Sequence, residues 1–579
     1  MATFQSARDM IDHRNSITDE SAGVAGPTVR LGLLILVYTA LTVFVFRNFI
    51  PHVGNTLIGP PEDNMQDFWN TWYAASQVRS FHDLGYTNLI RHPEGMTLYY
   101  HSFAYPKLVV AMIFGALFGA HLSGLVALHN FLLVISFPIS AIGGFYLVRH
   151  FTGDTLGGMV GGAVFAFNPS HVAQVTHHMH VSSIEFIPFF ALFFILAVER
   201  RSRGFAVLST LCFALSALSC WYYLFYCIYF MAFFYAVVAI RQRRFLNVWP
   251  LIVVLCNFVG LLVLLSPLLV PMVAQAARGA NVYAEGTETY VADLYGYVAF
   301  PPVHYLSAKS EHIRSQMTGN AWENVAYLGL VNIALLAWLI LRRKRMDREL
   351  IAFVLSGMGL FAVIASGSHL HVLGRSTIPL PDLLLSYLPF FKNVRGPGRA
   401  MTLVYLFLSI GVGYAISTIW REHGATWIGR GTITVIVLLM ALDFYPLALG
   451  LPGTPVACLP AYSLVAQDPD RHAAVLDLPD GDYIEENAYM MYQACHLHPI
   501  VGGNVSRPVY KTLNDQLLWR DLDEQRRQLT ENHVKYIVIH RPDGKLILSN
   551  LGEWLASQEY PRTYPVLYSG NDAVVFGVY

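Results

Sequence analysis

Over the first 450 residues, apolar runs of membrane length alternate with two kinds of polar linker. The runs lie at roughly 31–50, 124–148, 155–170, 181–198, 204–219, 221–240, 248–274, 323–341, 350–367, 399–419 and 431–450. A spanning helix needs about 20 apolar residues, so the pattern predicts about 11 transmembrane helices. Four linkers are short and basic: Glu199 to Arg203, Arg241 to Arg244, Arg342 to Arg345 and Arg421 to Arg430. Three are long, mixed in charge and rich in aromatic, His, Pro and Gly residues: 51–106, 275–322 and 368–398. With the basic linkers in the cytoplasm, the long ones all fall on the outer side, and residues 1–29 form a cytoplasmic tail. That tail is too long and too acidic for the leading part of a signal peptide. The segment 107–120 is apolar but short. Were it to span, the basic linkers after it would change sides, so it reads as re-entrant or interfacial.

Beyond residue 450 the composition changes. Short β-type runs (Ala474–Leu478, Tyr536–His540, Thr563–Leu567, Ala573–Val578) alternate with polar helix-like stretches (Glu485–Gln493, Leu513–Thr530, Gly544–Ser557). Asn571-Asp572 predicts a hairpin turn between the last two strands. The chain therefore divides into the tail 1–29, a membrane domain 30–450 and an extracytoplasmic α/β domain 451–579. The predicted class is an α-helical polytopic membrane protein of the cytoplasmic membrane, capped by a small C-terminal α/β domain.

Composition sharpens this reading. Of 579 residues, 55% are hydrophobic and 13% charged, against about 25% charged in soluble domains. The 38 basic and 38 acidic side chains cancel, and nothing points to nucleic acid. Six cysteines make no disulfide framework. Cys212, Cys220, Cys227 and Cys256 lie in apolar runs as small hydrophobes. Cys458 and Cys495 lie in the outer region, where pairing is open to them.

Candidate chemistry gathers in three places. The first long loop carries Asp63, Asp67, Trp69 and Trp72, then His92, Glu94, Tyr99, Tyr100 and His101. Trp69 and Trp72 are three apart and share a helix face, which suggests a helix lying along the membrane surface. A carboxylate at Asp67, beside apolar rings, is poorly solvated and raised in pKa. That suits a general base acting on a hydroxyl. The competing view makes Asp63 and Asp67 a solvated helix start favoured by the helix dipole. The second place runs Asn168-Pro169-Ser170-His171 to Gln174, His177, His178 and His180, followed by Glu185. These histidines do not share one helix face, whereas zinc prefers convergent ligands. His171, His177 and Glu185 are read instead as the polar wall of a substrate cavity, since ionisable residues near span ends usually face one. Plain interfacial hydrogen bonding is the alternative. The third place is Lys392, Arg395 and Arg399 around a Gly-Pro-Gly turn. Arginine offers a fork to lipid-phosphate oxygens, and headgroup anchoring is the bland alternative.

The Asp beside tryptophans followed by His92-Pro93-Glu94-Gly95-Met96 resembles the opening of bacterial integral-membrane glycosyltransferases of the GT-C fold. Phe167 to His171 with Glu185 to Pro188, Tyr327-Leu328-Gly329, and Val394 to Ala400 resemble segments of uncharacterised membrane proteins of that kind. The resemblance covers most of 31–450, with Val475–Pro479 and His496–Arg507. It implies transfer of a sugar from a polyprenyl-phosphate donor to a glycan, lipid or protein acceptor at the outer face. Asp67 would be the base, with Asp63 as the alternative. Trp69, Trp72, Tyr99 and Tyr100 would present sugar-stacking faces, His92, Glu94 and His101 would also contact substrate, and Lys392, Arg395 and Arg399 would hold the lipid phosphate. Asp63 and Asp67 are four apart, unlike the closely spaced acid pair of better-known members. No metal ligands are therefore assigned, and a divalent cation stays the minor alternative. Two other classes remain: a non-catalytic membrane scaffold or assembly subunit binding partner chains through the external domain, and a lipid or solute transporter.

Overall fold

The computed structural model describes residues 31–77, 84–243, 248–278, 289–385, 387, 395–444, 451–479, 483–507, 511–519, 521–541 and 559–579. The tail 1–29, Lys392, and the helix-like stretch 544–557 lie outside them. Each of the eleven apolar runs holds a helix. In chain order, the described helices of seven residues or more before residue 450 are α1 (Leu31–Val45), α2 (Asp63–Gln77, in the first long loop), α3 (Tyr105–Phe118), α4 (Leu122–Val134), α5 (Ser136–Thr152), α6 (Thr155–Ala166), α7 (Pro169–Val175), α8 (Ile187–Glu199), α9 (Arg203–Ser219), α10 (Trp221–Gln242), α11 (Val248–Ala277), α12 (Leu330–Arg342), α13 (Arg348–Ala365), α14 (Met401–His423) and α15 (Trp427–Phe444). Among the described residues six helical stretches are long and apolar enough to cross a membrane, with α4 running into α5 as one of them, and five shorter apolar helices accompany them.

The burial pattern is that of a membrane bundle. Helix α14 is buried almost throughout and forms the axis. By contrast α11 and α15 turn apolar side chains outward, among them Leu255, Leu262, Val263, Val270, Leu438 and Leu442. Water penalises such faces, whereas lipid tails accept them. Around the axis, small residues permit close approach. A Cβ on Gly157 of α6 would fall 2.0 Å from Ser417 Oγ and 2.5 Å from Gly413 O of α14. Helices lacking a hydrophobic drive toward one another pack through such contacts.

In the long loops, β2 (Tyr86–Thr87) pairs with β3 (Met96–Thr97), and β4 (His369–Val372) with β5 (Arg375–Pro379). The C-terminal segment builds a four-stranded sheet from β7 (Ala474–Leu478), β8 (Val534–His540), β9 (Val566–Ser569) and β10 (Ala573–Gly577), in the order β7-β8-β10-β9. Strand β7 runs parallel to β8, with Val475 opposite Tyr536 and Leu478 opposite Ile539, and the other pairs are antiparallel. The predicted hairpin joins β9 to β10, where Gly570 N donates to Ala573 O at 3.0 Å. The third strand starts later than predicted, at Val566 rather than Thr563. Helices α16 (Pro460–Ala466), α17 (Tyr483–His496) and α18 (Leu522–Glu531) complete this unit. Cys458 and Cys495 form a disulfide tying the approach to α16 to the end of α17.

Strand side chains alternate between faces. Ala474, Leu476, Leu478, Ile537, Ile539, Val574 and Phe576 point into the unit's own core. Val475, Tyr536, Val538, Ala573 and Val575 point the other way, into a core shared with α1 to α7 and with Trp69 and Trp72 of α2. The sheet is thus buried on both faces, which explains why β10 reads as a continuous apolar run. The short strand β6 (Gly453–Pro455) pairs antiparallel with β1 (Thr56–Ile58), fastening the start of the C-terminal unit to the first loop.

Candidate active site

Helix α2 is the centre of the site, and its position overturns the expected interfacial helix. Residues Asn64 to Ala75 are all buried. Trp69 is fully covered, stacks on Tyr73 at 4.9 Å and donates from Nε1 to Gln493 Oε1 of α17 at 2.7 Å. Trp72 is 3% exposed. Neither ring offers a face to a sugar, because α17 covers the surface on which both were expected to lie. They are packing residues that join α2 to the C-terminal unit.

The approach of α2 to the second histidine-bearing loop depends on Gly59. This residue has φ +116°, and a Cβ there would lie 1.9 Å from the Thr176 carbonyl oxygen. Only glycine accepts both the backbone angle and the contact. The close pass sets Glu62, Asp63 and Asp67 against His177, His178 and Met179.

A line of alternating charge results. Asp63 Oδ2 accepts from His178 Nε2 at 2.9 Å, and His178 Nε2 also lies 3.4 Å from Glu323 Oε1. Glu323 in turn binds Arg399, with Nη2 to Oε1 at 2.6 Å and Nε to Oε2 at 3.4 Å. Gln174 Nε2 donates to Glu323 Oε2 at 3.1 Å, which leaves its Oε1 to accept from His178 Nδ1 at 3.1 Å. Both ring nitrogens of His178 therefore donate, as an imidazolium does. Burial disfavours that charge, but Glu323 and Asp63 outweigh it and hold the His178 pKa above its ordinary value. For Asp63 and Glu323, burial raises the carboxyl pKa. The partners reverse this, His178 for Asp63 and Arg399 first for Glu323, so both sit below the usual range. The four groups form a neutral, mutually ionised chain.

Asp67 differs. It is 6% exposed, and its Oδ2 accepts from Met179 N at 2.6 Å while Oδ1 accepts from Asn70 Nδ2 at 3.4 Å. Burial dominates here and pushes its pKa up to about 7, against the Met179 bond and the His178 charge. Asn70 Oδ1 accepts from His101 Nε2 at 3.0 Å, and His101 Nδ1 accepts from Ser506 N at 3.3 Å. That pattern is one tautomer of a neutral imidazole, in keeping with burial, which lowers the His101 pKa to about 4.

The remaining predicted residues scatter. His177 belongs to the site: its Nε2 lies 3.7 Å from Glu62 Oε2, and its ring lies 4.8 Å from that of Trp322. His171 stacks on Phe137 at 4.0 Å, and its nitrogens are taken by Ala166 O, Ser182 O and Ser136 Oγ. It borders a pocket of about 260 Å³ shared with Asn168, Gln174, Ile184 and Arg399. Glu185 is buried nearby, within electrostatic reach of Lys107. His92 and Glu94 bind the C-terminal unit: His92 Nε2 meets Asn532 O at 2.8 Å, and Glu94 Oε2 accepts from Leu513 N at 3.2 Å. Both are docking contacts for the C-terminal unit rather than substrate contacts. Arg399 lies over the Tyr222 ring at 4.6 Å and Arg395 over Tyr290 at 5.7 Å. Lys392 is not among the described residues. Sequence reasoning missed Glu323, which looked like the first residue of an apolar span. A lone carboxylate at a span end, with arginines expected at the same level, was the available signal.

A family model described as "Domain of unknown function (DUF6311)" matches residues 33–447. No curated protein matches the sequence. Among solved structures, the oligosaccharyltransferase of Archaeoglobus fulgidus in the apo form is similar with a TM-score of 0.51 and 12% identity, covering 96% of this chain and 75% of that one. Arabinofuranosyltransferase AftD from Mycobacteria is similar with a TM-score of 0.51 and 13% identity, over 95% of this chain and 41% of that one. ArnT from Cupriavidus metallidurans aligns over 94% of this chain and 98% of its own, at 12% identity and a TM-score of 0.45. The architecture is that of the GT-C glycosyltransferases, and the chain is a polytopic membrane protein of this fold.

Proposed function

The chain belongs to the DUF6311 family, and from its site we propose that it is a membrane glycosyltransferase. It transfers a sugar from a polyprenyl-phosphate donor to an acceptor hydroxyl at the outer face of a bacterial cytoplasmic membrane. The observation that carries this reading is the buried line of charges that runs from beside Asp67 to Arg399. Asp67 is held by the backbone N–H of Met179, and the neighbouring His178 is linked through Glu323 to Arg399. One end of the site thus supplies a carboxylate that titrates near neutrality, and the other a fixed guanidinium.

In this reading the acceptor hydroxyl attacks the anomeric carbon. The new C–O bond forms as the bond from that carbon to the lipid phosphate oxygen breaks. Asp67 takes the hydroxyl proton, and the phosphate leaves with the bonding electrons toward the arginines. Glu323 occupies two of the five N–H groups of Arg399 and so fixes its direction. His178, itself bonded to Asp63, faces Glu323 from the other side. Among the described residues no group of three or more His, Cys, Asp or Glu is arranged to hold a metal ion. The nearby carboxylates of Asp63 and Glu323 are engaged by His178 and Arg399, so the donor set does not fit a cation and no step is routed through one.

The discriminating experiment is Asp67→Asn in full-length protein in nanodiscs, given a labelled polyprenyl-phosphate sugar. Loss of lipid-phosphate release with retained lipid binding is the expected result. Unchanged release would remove Asp67 as the base. Absence of any donor binding by the wild type would favour the scaffold reading.

A further inference from the structure

Trp69 and Trp72 are covered, so a sugar held at this site needs another apolar face. Trp322 supplies one. Asn320 Oδ1 accepts from Trp322 N at 3.0 Å and from Glu323 N at 2.8 Å. This turn sends two adjacent side chains to different places. Glu323 goes inward to Arg399 and His178, whereas Trp322 stays half-buried at the edge of the core shared with α2. The Trp322 ring rests on that of His177, with centroids 4.8 Å apart.

Beside this ring, two acceptors face each other. Thr176 Oγ1 donates to Ala173 O at 2.7 Å, so its oxygen accepts from His177 Nδ1 at 2.7 Å. Nδ1 thus carries the proton of a neutral imidazole, in keeping with burial, which lowers the His177 pKa to about 4. Nε2 is left as a lone-pair acceptor. It is buried, makes no hydrogen bond, and lies 3.7 Å from Glu62 Oε2, on a side chain that is 41% exposed. At that separation neither atom satisfies the other, and a buried acceptor without a donor is costly. The ligand that fits presents two donors side by side on a ring with an apolar face. Neighbouring hydroxyls of a sugar do this. Its C–H face lies on the aromatic ring, one hydroxyl donates to the imidazole, and the next makes a charge-assisted bond to the carboxylate. The place also suits the reaction. His177 stands two residues from Met179, whose N–H holds Asp67, and Trp322 stands next to Glu323, which holds Arg399.

We propose that Trp322, Glu62 and His177 form the carbohydrate platform of this site: the sugar ring lies on Trp322, and two neighbouring hydroxyls donate to Glu62 and His177. This rests on the glycosyltransferase reading and deepens it. The sugar belongs either to the lipid-linked donor or to a glycan acceptor, and the test separates the two.

Full-length protein in nanodiscs is given three probes: bare undecaprenyl phosphate, undecaprenyl phosphate carrying glucose, mannose, galactose or arabinose, and free oligosaccharides of the same sugars. The wild type binds at least one sugar-bearing probe, and Trp322→Ala weakens that binding about tenfold, the worth of one aromatic face. Trp322→Phe, which keeps a face, stays within about threefold of wild type. Glu62→Gln, which loses the charge-assisted bond, weakens it about fivefold. Weakening for the lipid-linked sugars places the donor on the platform, and weakening confined to the free oligosaccharides places the acceptor there. Bare undecaprenyl phosphate binds wild type and Trp322→Ala alike. Equal weakening of bare and sugar-bearing lipid makes Trp322 a support for Glu323 and overturns the proposal. Should Trp322→Ala fail to fold, Trp322→Phe and Glu62→Gln decide. Sugar binding unchanged in these variants, with Arg399→Gln weakened for the bare lipid, overturns the platform and leaves the glycosyltransferase reading standing. No binding of any lipid phosphate by the wild type brings down both.

Discussion

Asp67 gives the sharpest prediction because its burial acts on rate and stability with opposite consequences. Its carboxyl is shifted from an ordinary 3.8 to about 7, chiefly by burial. As a base it works only when ionised. About a tenth is ionised at pH 6 and about nine tenths at pH 8, so turnover rises about tenfold across that interval and then levels. Stability runs the other way. The folded pKa lies above the unfolded one, so between about pH 4 and about pH 7 the folded chain holds a proton that the unfolded chain has lost. Stability therefore falls as pH rises through that window. A shift of about three units corresponds to about 4 kcal/mol. Asp67→Asn removes the titrating group yet can still accept from the Met179 N–H. It is expected to lower turnover by about 10²- to 10⁴-fold, to melt higher than wild type at pH 8 and to match it near pH 4. Lipid-phosphate release across pH 5.5–9 and thermal unfolding in nanodiscs measure both. A wild-type rate flat from pH 6 to 8, or an Asn variant melting lower at pH 8, would refute the argument.

Other perturbations follow from the same geometry. Glu323→Gln strips Arg399 and His178 of a buried counter-charge, and breaking such a pair costs about 3–5 kcal/mol; a drop in melting temperature together with weaker lipid-phosphate binding is expected. Trp69→Phe keeps most of the packing but removes the bond to Gln493, for about 1 kcal/mol. Its melting temperature should fall slightly with KM for the donor unchanged, whereas a sugar-stacking tryptophan would raise KM. Gly59→Ala meets the Thr176 carbonyl and forces α2 away from His178, so activity should fall well beyond what the loss of stability explains, measured as kcat at a temperature far below melting. Replacing Cys458 and Cys495 by Ser frees the end of α17, and about 2–4 kcal/mol of stability should go with it, read as a lower melting temperature that reducing agent reproduces in the wild type.

Much of the molecule was legible along the chain. Every apolar run holds a helix, the short β-type runs after residue 450 became a sheet, and Asn571-Asp572 became its hairpin. These features are local: helix length, strand alternation and turn chemistry depend on neighbours in sequence. The poor solvation of Asp67 was also legible, since an acid among rings in a long loop signals it wherever the loop lies. What tertiary structure alone decided was which side chains face one another. Trp69 and Trp72 looked amphipathic and interfacial until α17 covered them. His92 and Glu94 looked like substrate contacts until the C-terminal unit docked on them. Glu323 gained meaning only when the fold set it between His178 and Arg399, 145 and 76 positions away in the chain. Sequence determined the elements and which of their residues carry charge. Partnership between charges buried far from water was set by packing, because a Coulomb interaction depends on separation in space and on the dielectric around it, neither of which is written in chain order.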